Sequence, residues 1–271
     1  MSNSLPTAIL GRTGLTVTRL GIGGAYCETP HGYRAALDCG VNYIDTARAY
    51  RNGDDERVIG EAIAGRREQL VLATKTQTRD AAGARRDLET SLRQLDTDYV
   101  DIWQIHYLNS DADRERVLAP GGAMEAALRA KEEGLVRHIG VTGHDWVQLQ
   151  RAAATGLFDT VLCWYNCAMK EPETILFPEA MAEGMGVVIM KATFTEKLLG
   201  ELGQPSPDPG DFYRYVLSHE AVHLTIMGLR DLDLFRRVAL ALSERATLCQ
   251  EERARLEEYG ARVRASGKLG V

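Results

Sequence analysis

Four side chains that can hold or move a proton follow three successive apolar segments of this 271-residue chain. Asp45 ends the segment 41–44, Tyr50 follows five residues later, Lys75 ends "LATK" and His106 ends "WQIH". A free tyrosine has a pKa of about 10 and is a poor acid at neutral pH. A neighbouring ammonium lowers that pKa, and a carboxylate beside the lysine keeps a partly buried ammonium charged. Together these residue types predict a tyrosine tuned to give a proton to a developing alkoxide.

Each of the four residues has an ordinary role when it is considered alone. An aspartate at a strand end caps a helix or forms a turn, and a loop tyrosine packs against its surroundings. A lysine at a rim is solvated, and a single histidine forms a hydrogen bond. Their joint occurrence indicates a site only if the segments that carry them are neighbours in the fold.

The rest of the chain alternates short apolar segments with amphipathic stretches of helical period. The segments predicted as strands are 17–21, 41–44, 70–73, 99–105, 138–143, 160–164, 186–190 and 222–227. Helices are predicted in a stretch that closes near Gly40 and at about 55–64, 84–95, 121–134, 146–154, 172–184 and 231–242. Pro178 can kink the helix at 172–184. Eight strands, each followed by a helix, predict a (β/α)8 TIM barrel, an α/β fold, over a single domain of residues 1–271.

Three further segments complete the predicted barrel. "AILGRTGLTV", residues 8–17, is typical of a small β-hairpin and should cap the bottom of the barrel. Residues 249–263 predict an extra C-terminal helix, and the turn-rich stretch 200–210 predicts a loop above the barrel. In such barrels, catalytic groups lie at the C-terminal ends of the strands, so Asp45, Tyr50, Lys75 and His106 are expected to converge on one face.

Composition narrows the class of protein. A net charge of -6 disfavours a general nucleic-acid binder, and no segment approaches about 18 uninterrupted apolar residues, so a membrane span is not expected. Residues 1–6 are polar and contain no apolar signal core. Five scattered cysteines predict reduced thiols and a cytoplasmic location. Cys163 and Cys167 have no second matching pair, so no metal site is predicted.

At its strand ends the chain resembles the aldo-keto reductase family. The motifs are "GVNYIDTARAY", "LATK", "DYVDIWQIH" and "EEGLVRHIGVTGHD", with Glu56 and Gly60 in the positions of the family's "SE…G", and weaker matches at "WYN" and "GLR". The resemblance implies that Tyr50 is the general acid/base and that Lys75 with Asp45 tunes it. It also implies that His106 positions a substrate carbonyl and that a nicotinamide dinucleotide lies extended across the barrel mouth.

The same resemblance implies a set of cofactor-binding residues: Gly23, Gly24, Asp45, Thr142, Gly143, Met190, Lys191, Gly228 and Arg230. The glycines at 21, 23 and 24 lack the strand–turn–helix setting of a Rossmann fingerprint, but they permit close approach of the backbone to a ligand. The chain departs from the family pattern at several cofactor positions, where it has Gly143, Leu162, Met190, Leu234, Arg237 and Val238. NADP(H) is the expected cofactor, and NAD stays open.

Tyr26 and Tyr107 are expected to form an aromatic wall for a small aldehyde, ketone or sugar, and Cys27 and Trp146 are further candidates. Packing of the barrel mouth is the alternative for each. The loop "RNGDD", which follows Tyr50, is longer than the short glycine turn that the resemblance implies. The expected protein is a monomer or small homo-oligomer with no nucleic-acid or membrane partner.

Two other functions fit the same residues. One is a barrel that holds the cofactor as a redox sensor and turns over slowly. The other is an eliminase or isomerase that uses the Tyr–Lys pair for proton transfer alone, which the departures at Leu162, Leu234 and Val238 keep open.

Overall fold

A short antiparallel hairpin precedes a closed barrel of eight parallel strands in the computed structural model, which describes residues 4–200 and 206–270. The hairpin strands are β1 (Thr7–Ile9) and β2 (Thr16–Thr18), joined through a 3-10 turn at Gly11–Thr13. The predicted hairpin is therefore confirmed.

The barrel strands follow one another around the barrel in chain order, and the last pairs with the first. They are β3 (Leu20–Gly23), β4 (Tyr43–Asp45), β5 (Val71–Thr76), β6 (Val100–Ile105), β7 (Val136–Thr142), β8 (Thr160–Trp164), β9 (Gly186–Met190) and β10 (Leu224–Gly228). Most of these strand residues are buried, because helices cover the outside and side chains fill the inside. The predicted TIM barrel is confirmed.

Each barrel strand is followed by one or two helices. They are α1 (Pro30–Leu37), α2 (Asp54–Ile63), α3 (Ala81–Leu95), α4 (Asp111–Leu118), α5 (Ala123–Glu132), α6 (Trp146–Ala153), α7 (Pro172–Ile175), α8 (Phe177–Ala182), α9 (Pro209–Leu217), α10 (Leu232–Glu244) and α11 (Gln250–Ala265). Aspartates cap several of them: the side chain of Asp80 accepts a hydrogen bond from the third residue of α3, and Asp145 and Asp231 do the same for α6 and α10. The predicted C-terminal helix is present as α11.

One predicted strand boundary was wrong, and two helices were missed. The first barrel strand is β3, not 17–21, because Val17 and Thr18 pair with β1 instead. The helices α4 and α9 were not predicted. Only Val117 of α4 is buried, so its sequence carries no helical apolar period. α9 begins at Pro209, inside the stretch predicted as the loop 200–210, of which residues 201–205 lie outside the described residues.

The predicted helix at 172–184 is two helices, α7 and α8. Pro178 is near the start of α8, where a proline is tolerated because the first helical N–H groups have no partner within the helix. The predicted kink at this proline is therefore a break between Ile175 and Phe177.

The hairpin closes the lower end of the barrel. Leu10 is fully buried and belongs to the apolar cluster inside the barrel, together with Val17, Tyr43, Ile102 and Leu162. A second and larger cluster lies between the strands and the helices.

The turn of the hairpin is held by one arginine. Arg12 donates hydrogen bonds of 2.8 Å to the carbonyls of Gly156 and Phe158 and of 3.2 Å to that of Glu183, so the turn is attached below β8 and β9. With the lower end closed in this way, the open end is the one where the strands finish.

Within residues 4–200 and 206–270, no helix is both long enough and apolar enough to pass through a bilayer.

We predict that Leu10→Ala lowers the free energy of unfolding by about 2–5 kcal/mol, because it leaves a cavity in the cluster inside the barrel. The measurement is urea unfolding monitored by circular dichroism. The neighbouring Ile9 has 55% of its surface exposed, so Ile9→Ala should change the free energy by less than about 0.5 kcal/mol. Equal losses of unfolding free energy for the two variants would contradict the role of Leu10 in closing the lower end of the barrel.

Candidate active site

The four predicted proton-handling residues come together at the open end of the barrel. Asp45 is the last residue of β4, Lys75 lies near the end of β5, and His106 directly follows β6. Tyr50 begins a 3-10 turn at Tyr50–Gly53, between β4 and α2. Adjacent strands carry the first three, which explains why residues far apart in the chain are neighbours.

Lys75 is the centre of this group, and its side chain is almost completely buried. Its Nζ lies 2.5 Å from Asp45 Oδ2, 2.7 Å from the Thr46 carbonyl and 3.3 Å from the Tyr50 hydroxyl. The three N–H donors of the ammonium therefore each have an acceptor. The other oxygen of Asp45 accepts a 2.7 Å hydrogen bond from Gln104 Nε2.

Gln104 was missed at the sequence level, although a signal was present. It is the polar residue of an otherwise apolar stretch of β6, and it is two residues from Ile102, which points into the barrel. Because side chains alternate along a strand, Gln104 points inward as well. A buried amide on the inside of a barrel needs a polar partner, and Asp45 is that partner.

The charges around Tyr50 leave it protonated. Burial lowers the pKa of Lys75, but Asp45 and Tyr50 together raise that pKa by more, so the ammonium stays charged. Burial raises the pKa of Tyr50 above its ordinary value, and the opposing effect of Lys75 is smaller. The expectation that Lys75 brings this pKa down towards neutrality is therefore wrong for the protein alone, because desolvation of the phenolate outweighs its attraction to the ammonium.

His106 lies beside Tyr50 as a neutral ring. The ring centroids are 5.8 Å apart in an edge-to-face arrangement. Burial, with a further contribution from the positive charge of Lys75, lowers the pKa of His106 to about 2. Its Nδ1 lies 3.5 Å from the amide nitrogen of Gln77, a contact that fits the tautomer with the ring proton on Nε2. A neutral N–H donor is suited to orienting an oxygen atom.

Two buried carboxylates hold the loop that carries Tyr50. Asp55 accepts hydrogen bonds from the Tyr33 hydroxyl, at 2.7 Å, and from the Thr46 hydroxyl, at 2.6 Å. Glu56 accepts from the Thr74 hydroxyl, at 2.6 Å, and from Arg48. These bonds tie the start of α2 to β4 and β5 and so place Tyr50 over Lys75.

The loop "RNGDD" after Tyr50 has an unusual backbone. Arg51, Asn52 and Gly53 have φ angles of 51°, 55° and 92°, three successive residues in the left-handed region. Arg51 donates a 2.8 Å hydrogen bond to the carbonyl of Cys27, in the loop after β3. The guanidinium of Arg48 covers Gly53 so closely that a methyl group there would lie 1.4 Å from Nη2. The longer loop is therefore a rigid connection between the Tyr50 turn and the neighbouring loop.

A cleft of about 360 Å³ opens above Tyr50 and Asp45. Seven of the nine residues predicted to bind a cofactor line it: Gly23, Gly24, Asp45, Met190, Lys191, Gly228 and Arg230. Two of the residues predicted to contact substrate, Tyr26 and Tyr107, line it as well. Lys75 and His106 are buried and are not among the residues that line it. The lining also includes His144, Glu196, Tyr213 and Leu234, which were not among the predicted site residues.

Four of the residues predicted to bind cofactor or substrate do not line the cleft: Cys27, Thr142, Gly143 and Trp146. Thr142 and Gly143 are buried behind it, where the Thr142 carbonyl accepts a hydrogen bond from the Leu108 amide. The indole N–H of Trp146 donates to the Trp164 carbonyl at 3.0 Å, and its contact with substrate stays a prediction. The next residue after Gly143, His144, takes the position at the cleft instead.

Aromatic rings form one wall of the cleft. The His106 and Tyr107 rings are stacked with centroids 4.2 Å apart, Tyr107 is 4.9 Å from His144, and His144 is 4.8 Å from Trp164. The ammonium of Lys191 lies 4.1 Å from the centroid of the Trp164 ring and ends the row. Burial lowers the pKa of His144 to about 4, so this ring too is neutral at physiological pH.

The donor groups of the cleft fit a dinucleotide. Lys191 and Arg230 both line it, and within the described part of the chain neither has a carboxylate within 4.0 Å. At Gly24, which lines the cleft, a methyl group would be 2.3 Å from Asp55 Oδ2 and 3.0 Å from the Asp45 carbonyl, so only glycine lets the backbone pack this closely on these groups. Two unpaired cations and a smooth backbone floor suit phosphate groups and a flat ring.

Comparisons of this chain with a family model and with known proteins all point to the same family. The model of the aldo/keto reductase family matches residues 28–210. The aldo-keto reductase YhdN of Bacillus subtilis is 30% identical over 225 residues, which are 74% of this chain and 66% of that protein. The methylglyoxal reductase YeaE of Escherichia coli is 37% identical over 119 residues, 43% of this chain and 39% of that protein. The chain thus spans less than two thirds of the length of these two curated relatives.

Solved structures agree on the fold over nearly the whole chain. An aldo-keto reductase from Klebsiella pneumoniae, in complex with NADP and acetate, superposes with a TM-score of 0.77 at 25% identity, covering 95% of this chain and 96% of that one. The holo form of the Bacillus halodurans aldo-keto reductase AKR11C1 gives a TM-score of 0.80 at 23% identity, covering 94% and 96%, and shows the fold alone.

We predict that His106→Gln changes the pH dependence of stability. His106 is neutral in the folded chain but takes up a proton below pH 6.5 when unfolded, so the folded state loses stability as pH falls from 6.5 towards 2. This residue contributes at most about 1.4 kcal/mol per pH unit to that slope. Urea unfolding below pH 6.5 should therefore show a shallower loss for the variant than for the wild type, and parallel curves would contradict a buried neutral His106.

We also predict that Gly53→Ala is more destabilising than Gly65→Ala. Both glycines have positive φ angles, 92° and 75°, so alanine costs about 1–2 kcal/mol at either position. A methyl group at Gly65 meets nothing within 4 Å, whereas at Gly53 it displaces Arg48 from the buried Glu56 and adds about 1–3 kcal/mol. Thermal or urea unfolding measures the difference, and equal effects would show that Arg48 moves away freely.

Proposed function

The chain belongs to the aldo/keto reductase family, and from that premise we propose that it reduces the carbonyl group of a small aldehyde, ketone or sugar with NADPH, using Tyr50 as the general acid. One observation carries the proposal. The buried ammonium of Lys75 contacts both the Asp45 carboxylate and the Tyr50 hydroxyl, directly below an open cleft.

A nicotinamide bound in the cleft supplies the hydride. The carbonyl oxygen of the substrate accepts a hydrogen bond from the Tyr50 hydroxyl, and the N–H of His106 Nε2 orients it. As the carbonyl carbon gains the hydride, the oxygen takes the proton of Tyr50. The phenolate left behind is stabilised by Lys75 at 3.3 Å and regains its proton from solvent.

The protonated form of Tyr50 is the one that reduction requires. Burial raises the pKa of Tyr50, which keeps the phenol protonated at neutral pH but makes it a weaker acid, so Lys75 has to stabilise the phenolate as the proton leaves. Oxidation of an alcohol by the same residues needs the phenolate as a base, and burial disfavours that form. The same residues serve both directions, but the protein alone is prepared for reduction.

The residues proposed to hold the dinucleotide line the cleft above this group. Gly23 and Gly24 offer bare backbone next to Asp45, and Met190 is the apolar residue at the end of β9. Lys191 and Arg230 offer positive charge for phosphates. The Klebsiella pneumoniae relative in complex with NADP supports NADP(H) as the cofactor. Thr142 and Gly143, buried behind the cleft, stay predictions.

Small carbonyl compounds are the substrate class that the relatives support, since methylglyoxal reductases of Escherichia coli and Yersinia pestis are among them. The row of rings from Tyr107 to Trp164 gives such a compound an apolar wall. We propose that residues 1–271 form a single barrel domain and that it works in the cytoplasm, which the free thiols of its five cysteines support.

We predict that Tyr50→Phe lowers kcat for methylglyoxal reduction by a factor of about 10²–10⁴, because it removes the proton donor but keeps the ring. NADPH oxidation measures turnover, and NADPH fluorescence measures binding, which should change little. Tyr99→Phe is the matched control, since Tyr99 precedes β6 at the opposite end of the barrel, between Arg67 and Arg137.

The same two assays separate the alternatives. Tight NADPH binding by the wild type without turnover of any carbonyl compound would indicate a redox sensor. No binding of NADPH or NADH would indicate proton-transfer chemistry alone. Normal turnover by Tyr50→Phe would refute the proposed mechanism.

A further inference from the structure

Tyr26 lies on the other side of the cleft from the aromatic wall. It follows β3, which pairs with β10, and its ring packs on Gly228 at the end of β10. A methyl group on Gly228 would lie 2.4 Å from the Tyr26 Cδ2 atom, so the ring rests on the glycine backbone. The guanidinium carbon of Arg230 lies 4.1 Å from the centroid of the same ring. Tyr26 thus contacts the turn after β10.

The loop that carries Tyr26 is held in this position. Ala25 has a φ of 80°, which is costly for a residue other than glycine and persists only where the surroundings enforce it. The 2.8 Å hydrogen bond from Arg51 to the Cys27 carbonyl fastens the other side of Tyr26. The ring is 43% exposed, so it is placed by its backbone and by Arg230 and not by burial in a core.

The guanidinium of Arg230 has no carboxylate partner: among residues 4–200 and 206–270, none lies within 4.0 Å of it. The neighbouring Asp231 is engaged elsewhere, because its side chain accepts hydrogen bonds from the Asp233 and Leu234 amides as the N-cap of α10. A guanidinium that stacks on an aromatic face keeps all its in-plane N–H donors free, and these donors match the geometry of a phosphate.

We propose that Tyr26 is a positioning residue for the cofactor: its ring holds Arg230 in the orientation that binds a phosphate group of the dinucleotide. Tyr26 therefore belongs to the cofactor end of the cleft and not to the substrate wall with Tyr107. Because the long arginine side chain is already ordered before binding, less side-chain conformational entropy is lost when the cofactor binds. The inference rests on the proposed function, since it requires a nicotinamide dinucleotide in this cleft.

The test measures cofactor binding in the absence of any substrate. NADPH is titrated by fluorescence against the full-length wild type, Tyr26→Leu and Tyr26→Phe, with circular dichroism as a check of folding. Leucine removes the aromatic face and should raise the Kd for NADPH about two- to fivefold, the range of a cation–π contact at an exposed site. Phenylalanine keeps the face and should leave the Kd within about twofold of the wild type.

A double-mutant cycle separates positioning from simple packing. In an Arg230→Gln background, Tyr26→Leu should have no further effect on the Kd, because the cation that the ring orients is gone. An equal loss in both backgrounds would show that Tyr26 acts independently of Arg230 and would overturn the inference.

Parallel titrations with NADH identify which phosphate group of the cofactor Arg230 binds. A loss confined to NADPH assigns Arg230 to the 2′-phosphate, and an equal loss for both nucleotides assigns it to the diphosphate; either result supports positioning. Wild-type affinity of Tyr26→Leu for both nucleotides overturns it.

Tyr99→Leu serves as the matched control, because Tyr99 packs on Arg67 and Arg137 at the opposite end of the barrel, and an unchanged Kd for NADPH is expected. An equal rise in Kd for Tyr99→Leu would show a loss that is not specific to the cleft and would refute the inference. If the wild type itself binds neither nucleotide, the proposed function fails, and that result is distinct from all the others.

Discussion

The buried ion pair of Lys75 and Asp45 is the interaction on which the site depends. Moving an ammonium and a carboxylate out of water is costly, and their attraction offsets the cost only if the remaining hydrogen-bonding positions are filled. Here the Thr46 carbonyl, the Tyr50 hydroxyl and the Gln104 amide fill them. The register of the barrel makes this possible, since Asp45 pairs with Ala73 and Lys75 pairs with Gln104 on adjacent strands. A shift of one residue between these strands would turn the charged side chains out of reach of one another.

The rest of the fold shields this ion pair from water at the lower end of the barrel and leaves the site open at the upper end. The hairpin seals the lower end of the barrel with Leu10, while the loops at the upper end leave a cleft over Tyr50. Several loop residues around the cleft have left-handed backbones, among them Arg51, Tyr107, Lys191 and Glu196. Such conformations cost free energy and cluster at sites where a side chain must be held in one direction. The tightly packed barrel is the source of stability that tolerates them.

The barrel and the proton-handling group could both be predicted from the sequence, because both depend on patterns between residues that are close together in the chain. Apolar segments of strand length recur between helical stretches, and the residue at the end of each strand is readable from the chain. Gln104 and Asp55 were missed because their importance depends on partners from other strands and loops. The helices α4 and α9 were missed because one has almost no apolar face and the other starts within a turn-rich stretch.

The directions of side chains and their solvation also could not be predicted from the sequence. Trp146 and His144 are two residues apart, and only the path of the loop decides that His144 lines the cleft. The pKa of Tyr50 was expected to fall because a lysine is near, and the structure shows that the depth of burial decides the direction instead. That direction is the central physical claim, because a protonated phenol next to a charged lysine is what makes the site a proton donor. Titration of tyrosine ionisation by ultraviolet absorbance, as the difference between the wild type and a variant with phenylalanine at position 50, measures it directly. The account predicts that the Tyr50 component ionises above 10.0, the ordinary value, and a component that ionises below it would contradict the account.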